Sequence, residues 1–104
     1  AGLSQAIDVT QEQRSLIIQP GNKVDLSCEH DDTSGTYNMY WYQQRSGHSL
    51  KLIAMSIGLS TPTVEKEFEG HWTMSKEDAK RSSLRKDKAE AQDTAVYFCA
   101  SSIT

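Results

Sequence analysis

An all-β fold, an antiparallel sandwich or barrel, is the class this sequence predicts, and three observations predict it. Apolar residues recur with period two rather than 3.6, as on half-buried strands. Clusters of Gly, Pro, Asn, Asp and Ser interrupt these runs repeatedly, as turns between short strands do. Two cysteines, Cys28 and Cys99, stand far apart in the chain, yet each falls on the apolar face of its own strand. The 104 residues suit one domain over 1–104. A chain of that length buries roughly two thirds of its unfolded surface, so a single core is feasible.

Each element follows from its pattern. SLIIQ (15–19) reads as a short apolar strand that stops at the Pro20-Gly21 turn. In KVDLSC, Val24, Leu26 and Cys28 alternate with Lys23, Asp25 and Ser27, which separates an inward from an outward face. EHDDTSGTYN is a polar, turn-rich loop around Gly35. MYWYQQ sets Met39 and Trp41 on one side and Tyr40, Tyr42 and Gln44 on the other. Ser46-Gly47-His48 reads as a hairpin loop leading into the strand LKLIAM, and IGLSTPT is a second loop punctuated by Gly58 and Pro62. Glu65, Glu67 and Glu69 alternate along what reads as a charged edge strand resisting aggregation. KEDAKR (76–81) reads as a solvated turn. KDKAEAQD (86–93) alone has helical character, and is too short for more than a turn or two. The last strand, DTAVYFCASS, puts Ala95, Tyr97 and Cys99 on one face and Val96, Phe98 and Ala100 on the other. Both faces are largely apolar, so the outward one needs a cover of its own.

Composition narrows the function. A net charge of −3 argues against a nucleic-acid partner. No apolar run approaches the roughly 18 residues of a bilayer span, and the opening AGLSQAIDVTQEQ lacks the apolar core of a signal peptide. A secreted or surface-bound protein would then be represented by a mature ectodomain piece, tied to a membrane only through a missing C-terminal anchor. His30, His48 and His71 fall in or beside three different turns, without partners at metal-ligand or nucleophile–base spacing. No glycine-rich phosphate loop occurs. No enzyme activity, metal or cofactor is expected. Two cysteines do not make a zinc site, which needs about four ligands. They are either a disulfide or two buried thiols. A bond would close a loop of about 70 residues, for which chain entropy gives roughly 4 kcal/mol, and would imply an oxidising compartment.

Cys28, Trp41 on the following strand, and D-x-A-x-Y-x-C ending at Cys99 together resemble an immunoglobulin variable domain. Within that family the chain is most similar to the T-cell receptor β variable domain. Cys99-Ala100-Ser101-Ser102, MYWYQQ and LKLI carry that likeness. The resemblance implies an immunoglobulin-like V-type antiparallel β-sandwich that apparently lacks strand G, because no F-G-x-G joining segment follows Thr104. Whether the chain is truncated there or the strand comes from elsewhere stays open. It further implies a Cys28–Cys99 disulfide through a core containing Trp41, Tyr97, Leu26 and Leu84.

Two functional surfaces are implied. Tyr42, Gln44, Leu50 and Phe98 would face an α-type variable domain in a heterodimer. An outward patch of aromatic and aliphatic residues with few charges is itself the pattern of an interface. The antigen-binding loops would be Asp32, Thr33, Ser34, Gly35, Thr36, Tyr37 and Asn38; Met55, Ser56, Ile57, Gly58, Leu59 and Ser60; and a third that includes Ser101, Ser102, Ile103 and Thr104. Their ligand would be a peptide held by a major histocompatibility complex molecule, met at the extracellular face of the plasma membrane. The alternatives are an antibody light chain, an innate non-rearranging surface receptor or a self-pairing adhesion domain. Three departures from the family pattern stand out. Lys86 occupies an inward position that is usually aliphatic, where it is expected to reach out to solvent at the end of the sheet. His71 replaces an Arg that pairs with the equivalent of Asp93. The proline usual in the first strand is missing.

Overall fold

The computed structural model describes residues 9–11, 14–16, 19–30 and 37–103. Among them the strands are β1 (Val9–Gln11), β2 (Arg14–Leu16), β3 (Val24–His30), β4 (Tyr37–Gln44), β5 (Lys51–Ser56), β6 (Thr63–Val64), β7 (Thr73–Lys76), β8 (Arg81–Lys86) and β9 (Ala95–Ile103). They form two sheets, ordered β1-β3-β8-β7 and β2-β9-β4-β5-β6, in which every neighbouring pair is antiparallel. The antiparallel sandwich expected from the period-two pattern is the observed architecture.

The alternation in KVDLSC fixes the first sheet. Val24, Leu26 and Cys28 are buried and lie in register with Lys86, Leu84 and Ser82 on β8. The intervening outward positions pair Asp25 with Arg85, Ser27 with Ser83 and Glu29 with Arg81. Asp25 and Arg85 form an ion pair of 3.4 Å. Between the sheets, Met39, Trp41, Ile53, Phe68, Trp72, Met74, Leu84 and Tyr97 are buried in one cluster. Cys28 on β3 is bonded to Cys99 on β9, with Cα atoms 6.4 Å apart and a sequence separation of 71. The bond therefore joins the two sheets through their middle. Trp41 brings a polar group into this core, and its indole N–H donates to Ser82 Oγ at 3.0 Å. Such a partner is what a buried tryptophan requires.

Strand β9 pairs with β4 along nearly its whole length, from Tyr37↔Ile103 to Gln44↔Val96. Its other edge is taken by β2 over Ala95, Val96 and Tyr97. The strand expected over 15–19 instead starts at Arg14; Ile17 and Ile18 lie outside the described residues, and Gln19 falls outside the strand.

Two expectations change. Glu65, Glu67 and Glu69 do not lie on a strand; the chain makes a 3-10 turn over Lys66–Phe68. The cause is Phe68, which this turn drops into the core while the three glutamates stay exposed. Lys86 does not reach solvent, for its side chain is only 6% exposed. Its Nζ donates to Asp93 Oδ2 at 2.9 Å and to Glu90 Oε1 at 3.0 Å, and lies 5.6 Å from the centre of the Trp72 ring. Burial alone would lower the lysine pKa, but the bonds to Asp93 and Glu90 outweigh it and hold the pKa above the ordinary lysine value. His71 is exposed. The cation that holds Asp93 thus comes from β8 instead of from the start of β7. The helical character over 86–93 reduces to a 3-10 turn at Ala91–Asp93, where the side chains of Glu90 and Asp93 cap each other's backbone N–H groups.

Candidate functional site

The outer faces of the two sheets differ in kind. The first carries Asp25 opposite Arg85 and Glu29 opposite Arg81, all exposed, with exposed Ser27 opposite the buried Ser83, the composition of a solvated surface. On the second, β4 turns Met39, Trp41 and Gln43 inward, leaves Tyr40 and Tyr42 half-buried and exposes Gln44. Tyr42 is in register with Phe98 on β9, and Tyr40 with Ala100. A bulge between Trp41 and Tyr42 then sets Tyr42 opposite Leu52 on β5. Phe98 is half-buried, and Leu50, just before β5, is 51% exposed. The Tyr40 and Tyr42 rings stack with centroids 6.3 Å apart, and the Tyr40 hydroxyl lies 2.9 Å from Ser102 Oγ. The residues predicted for a partner face, Tyr42, Gln44, Leu50 and Phe98, therefore sit on one side of one sheet. Tyr40, placed on this face by the alternation of MYWYQQ, joins them, as does Leu52, which the sequence did not single out. Among the described residues, the Gln44 side chain has one hydrogen bond, a long one of 3.4 Å from Nε2 to the His48 carbonyl.

A polar chain anchors this face from beneath. Gln43 Nε2 donates to the Tyr97 hydroxyl at 3.0 Å, and that hydroxyl donates to the Asp93 carbonyl at 2.6 Å. Burial pushes the Tyr97 pKa up to about 12. Gln43 was missed in the sequence, although the signal was there: alternation turns it inward, where an amide needs a partner, and Tyr97 is its register neighbour.

At the loop end, Asp32, Thr33, Ser34, Gly35, Thr36 and Thr104 lie outside the described residues. Several residues assigned to the loops belong to strands. Tyr37 and Asn38 open β4, and Tyr37 is 3% exposed, so its ring serves the core. Met55 and Ser56 close β5; Ser56 is fully buried, and its hydroxyl donates to the Ser60 carbonyl at 3.1 Å. Ser101, Ser102 and Ile103 are part of β9, and the Ser101 hydroxyl is buried without a partner among the described residues. The reason is that β4 and β9 continue to pair as far as Tyr37 and Ile103, beyond the loop boundaries taken from the resemblance. What the second loop presents is Ile57, 49% exposed, and Leu59, 75% exposed, together with Ser60. Gly58 between them is buried and has a φ of 55°, a left-handed conformation that favours glycine.

Lys76 also escaped notice, being read as part of a solvated turn. The turn itself is solvated: Asp78 Oδ1 accepts from the backbone N–H groups of Lys80 and Arg81 at 2.8 and 3.0 Å, and Oδ2 accepts from the Arg81 guanidinium. Lys76 points elsewhere. Its Nζ donates to the Tyr37 carbonyl at 2.8 Å and to the Gly58 carbonyl. Burial lowers its pKa. Among the described residues no three His, Cys, Asp or Glu side chains gather as a metal site would require, and no helix is long and apolar enough to cross a membrane.

Comparison with known proteins matches this geometry. The family profile of the immunoglobulin V-set domain covers residues 11–104. The T-cell receptor beta chain V region C5 of Mus musculus is 41% identical over 96 residues, which are 92% of this chain and 76% of that one. T cell receptor beta variable 25-1 of Homo sapiens is 37% identical over 102 residues, covering 98% of this chain and 86% of its own length. Among solved structures, a chain from work described as "Structural basis of T cell specificity and activation by the bacterial superantigen toxic shock syndrome toxin-1" superposes with a TM-score of 0.83. That match covers 95% of this chain and 84% of the other, at 24% identity, and so speaks for the fold alone. With its disulfide-joined sheets, buried Trp41 and Tyr97 bonded back to Asp93, the chain belongs to the immunoglobulin V-set family, among the T-cell receptor β variable domains.

Proposed function

We propose that this domain pairs with an α-type T-cell receptor variable domain through the outer face of its second sheet, and that the pair displays loops to a peptide held by a major histocompatibility complex molecule. The observation that carries the reading is the contrast between the two outer faces. One sheet is covered with charge pairs and hydroxyls; the other presents Tyr40, Tyr42, Leu52 and Phe98 half-buried, with Leu50 and Gln44 exposed beside them. An aromatic, uncharged patch of this kind is the composition of an interface core. Gln44, held by a single long bond, is able to exchange amide hydrogen bonds with a partner without burying a charge. Binding is non-covalent, and specificity lies in the loops, whose stems the bridged sandwich keeps in place. The disulfide suits the extracellular side of the plasma membrane.

The test is Phe98→Glu combined with Gln44→Glu, followed by gel filtration with and without an α-type variable domain. The heterodimer peak is expected to disappear while the thermal unfolding midpoint stays within a few degrees of the parent. Retention of the heterodimer by the double variant refutes the assignment. A dimer that forms equally well without the α-type domain assigns the face to self-pairing instead.

A further inference from the structure

We propose that Lys76 and Asn38 lock the second recognition loop to the start of β4 by clamping both ends of a single residue, Gly58. Three elements distant in sequence converge there. From β4, Asn38 Oδ1 accepts the Gly58 N–H at 2.9 Å. From β7, in the opposite sheet, Lys76 Nζ donates to the Gly58 carbonyl. The same ammonium donates to the carbonyl of Tyr37 at 2.8 Å, the residue from which the first loop departs. Gly58 therefore has neither its N–H nor its C=O free to reorient, and the second loop cannot shift without disturbing the stem of the first.

Hydrogen bonding, not packing, has to do this work. Behind the second loop lies an open cavity of about 350 Å³, walled by Leu59, Pro62, Lys76, Glu77 and Asp78. Ile57 and Leu59 turn outward, so the loop has little apolar anchorage of its own. Taking an ammonium partly out of water is unfavourable unless its protons are matched, and here two carbonyls match two of the three. Lys76 is thus a positioning residue. Its consequence for recognition rests on the function proposed above: a second loop ordered before binding loses less conformational freedom on binding.

Amide hydrogen exchange, followed by NMR on the whole chain without any ligand, tests the lock. In Lys76→Met, the Gly58 amide and the Ser60 amide, which donates to the Ile57 carbonyl at 2.9 Å, are expected to exchange at least tenfold faster. Amides of β3 and β8 should be unchanged and serve as the internal control. Asn38→Ala should release the same Gly58 amide, and the double variant should add less than the product of the two single effects. Lys76→Arg, which keeps the donors, should stay within threefold of the parent. A rise below tenfold at Gly58 in Lys76→Met overturns the proposal, as does acceleration spread evenly over β3 and β8. Should Lys76→Met not fold, Asn38→Ala and Lys76→Arg read the same amide. Because no ligand is present, a lock found in a chain that binds nothing would sink the function and leave the lock standing.

Discussion

Lys86 shows how one side chain can depart from a family pattern and be answered by another. An inward lysine beside Val24 and Trp72 would ordinarily destabilise the core. Here it carries the counter-charge for Asp93, whose own side chain is 5% exposed, and His71 is left without that task. Removing one member of a buried pair strands the other, so Lys86→Met is expected to destabilise the fold by about 3 kcal/mol in urea unfolding. Adding His71→Arg should recover most of that loss, by returning the cation to the start of β7. No recovery in the double variant would mean that the two departures are unrelated. The pair also has a pH signature. The folded-state pKa of Lys86 lies above its ordinary value of 10.5, so its stabilising contribution is complete below that value and fades as pH climbs through the folded pKa. Stability measured from about pH 10.5 upward should therefore fall more steeply in the parent than in Lys86→Met.

Period two is a sound guide where apolar residues alternate, and a poor one where charges do. KVDLSC, MYWYQQ and DTAVYFC became β3, β4 and β9 because each has one face that must leave water. The glutamates at 65, 67 and 69 alternate just as regularly, yet they need no common face, since all three are solvated. The residue that decides the backbone there is Phe68. Phe68→Ala is accordingly expected to cost about 3–5 kcal/mol, the usual range for emptying a buried aromatic site. Glu67→Ala removes only an exposed 3.4 Å ion pair with Lys51, and should change stability by less than about 1 kcal/mol. Denaturant midpoints of the two variants check the contrast. A large loss in Glu67→Ala would return weight to the charged strand.

Across the molecule, the disulfide and the pairing of β9 with β4 organise everything else. Cys28 and Cys99 belong to different sheets, so their bond constrains the unfolded chain over most of its length. The double variant Cys28→Ala, Cys99→Ala is expected to lose roughly 4 kcal/mol by the chain-entropy estimate. Domains of this size hold only about 5–15 kcal/mol in all, so that variant should unfold at markedly lower denaturant concentration. An unchanged midpoint would show that the core alone secures the two layers. The sandwich, the inward placement of both cysteines and the aromatic outer row of β4 and β9 were legible in the sequence because each depends on alternation, which is a local property of the strand; the bond between the cysteines was implied by the family resemblance. The mates of polar side chains were not legible. Gln43 with Tyr97, Lys86 with Asp93, and Lys76 with the carbonyls of Tyr37 and Gly58 bring together residues from separate strands or loops. Which donor meets which acceptor depends on how two twisted sheets face each other, and no spacing along the chain encodes that. The extent of the loops was hidden for the same reason: β4 and β9 pair until their partners run out, and only their register in space sets where that happens.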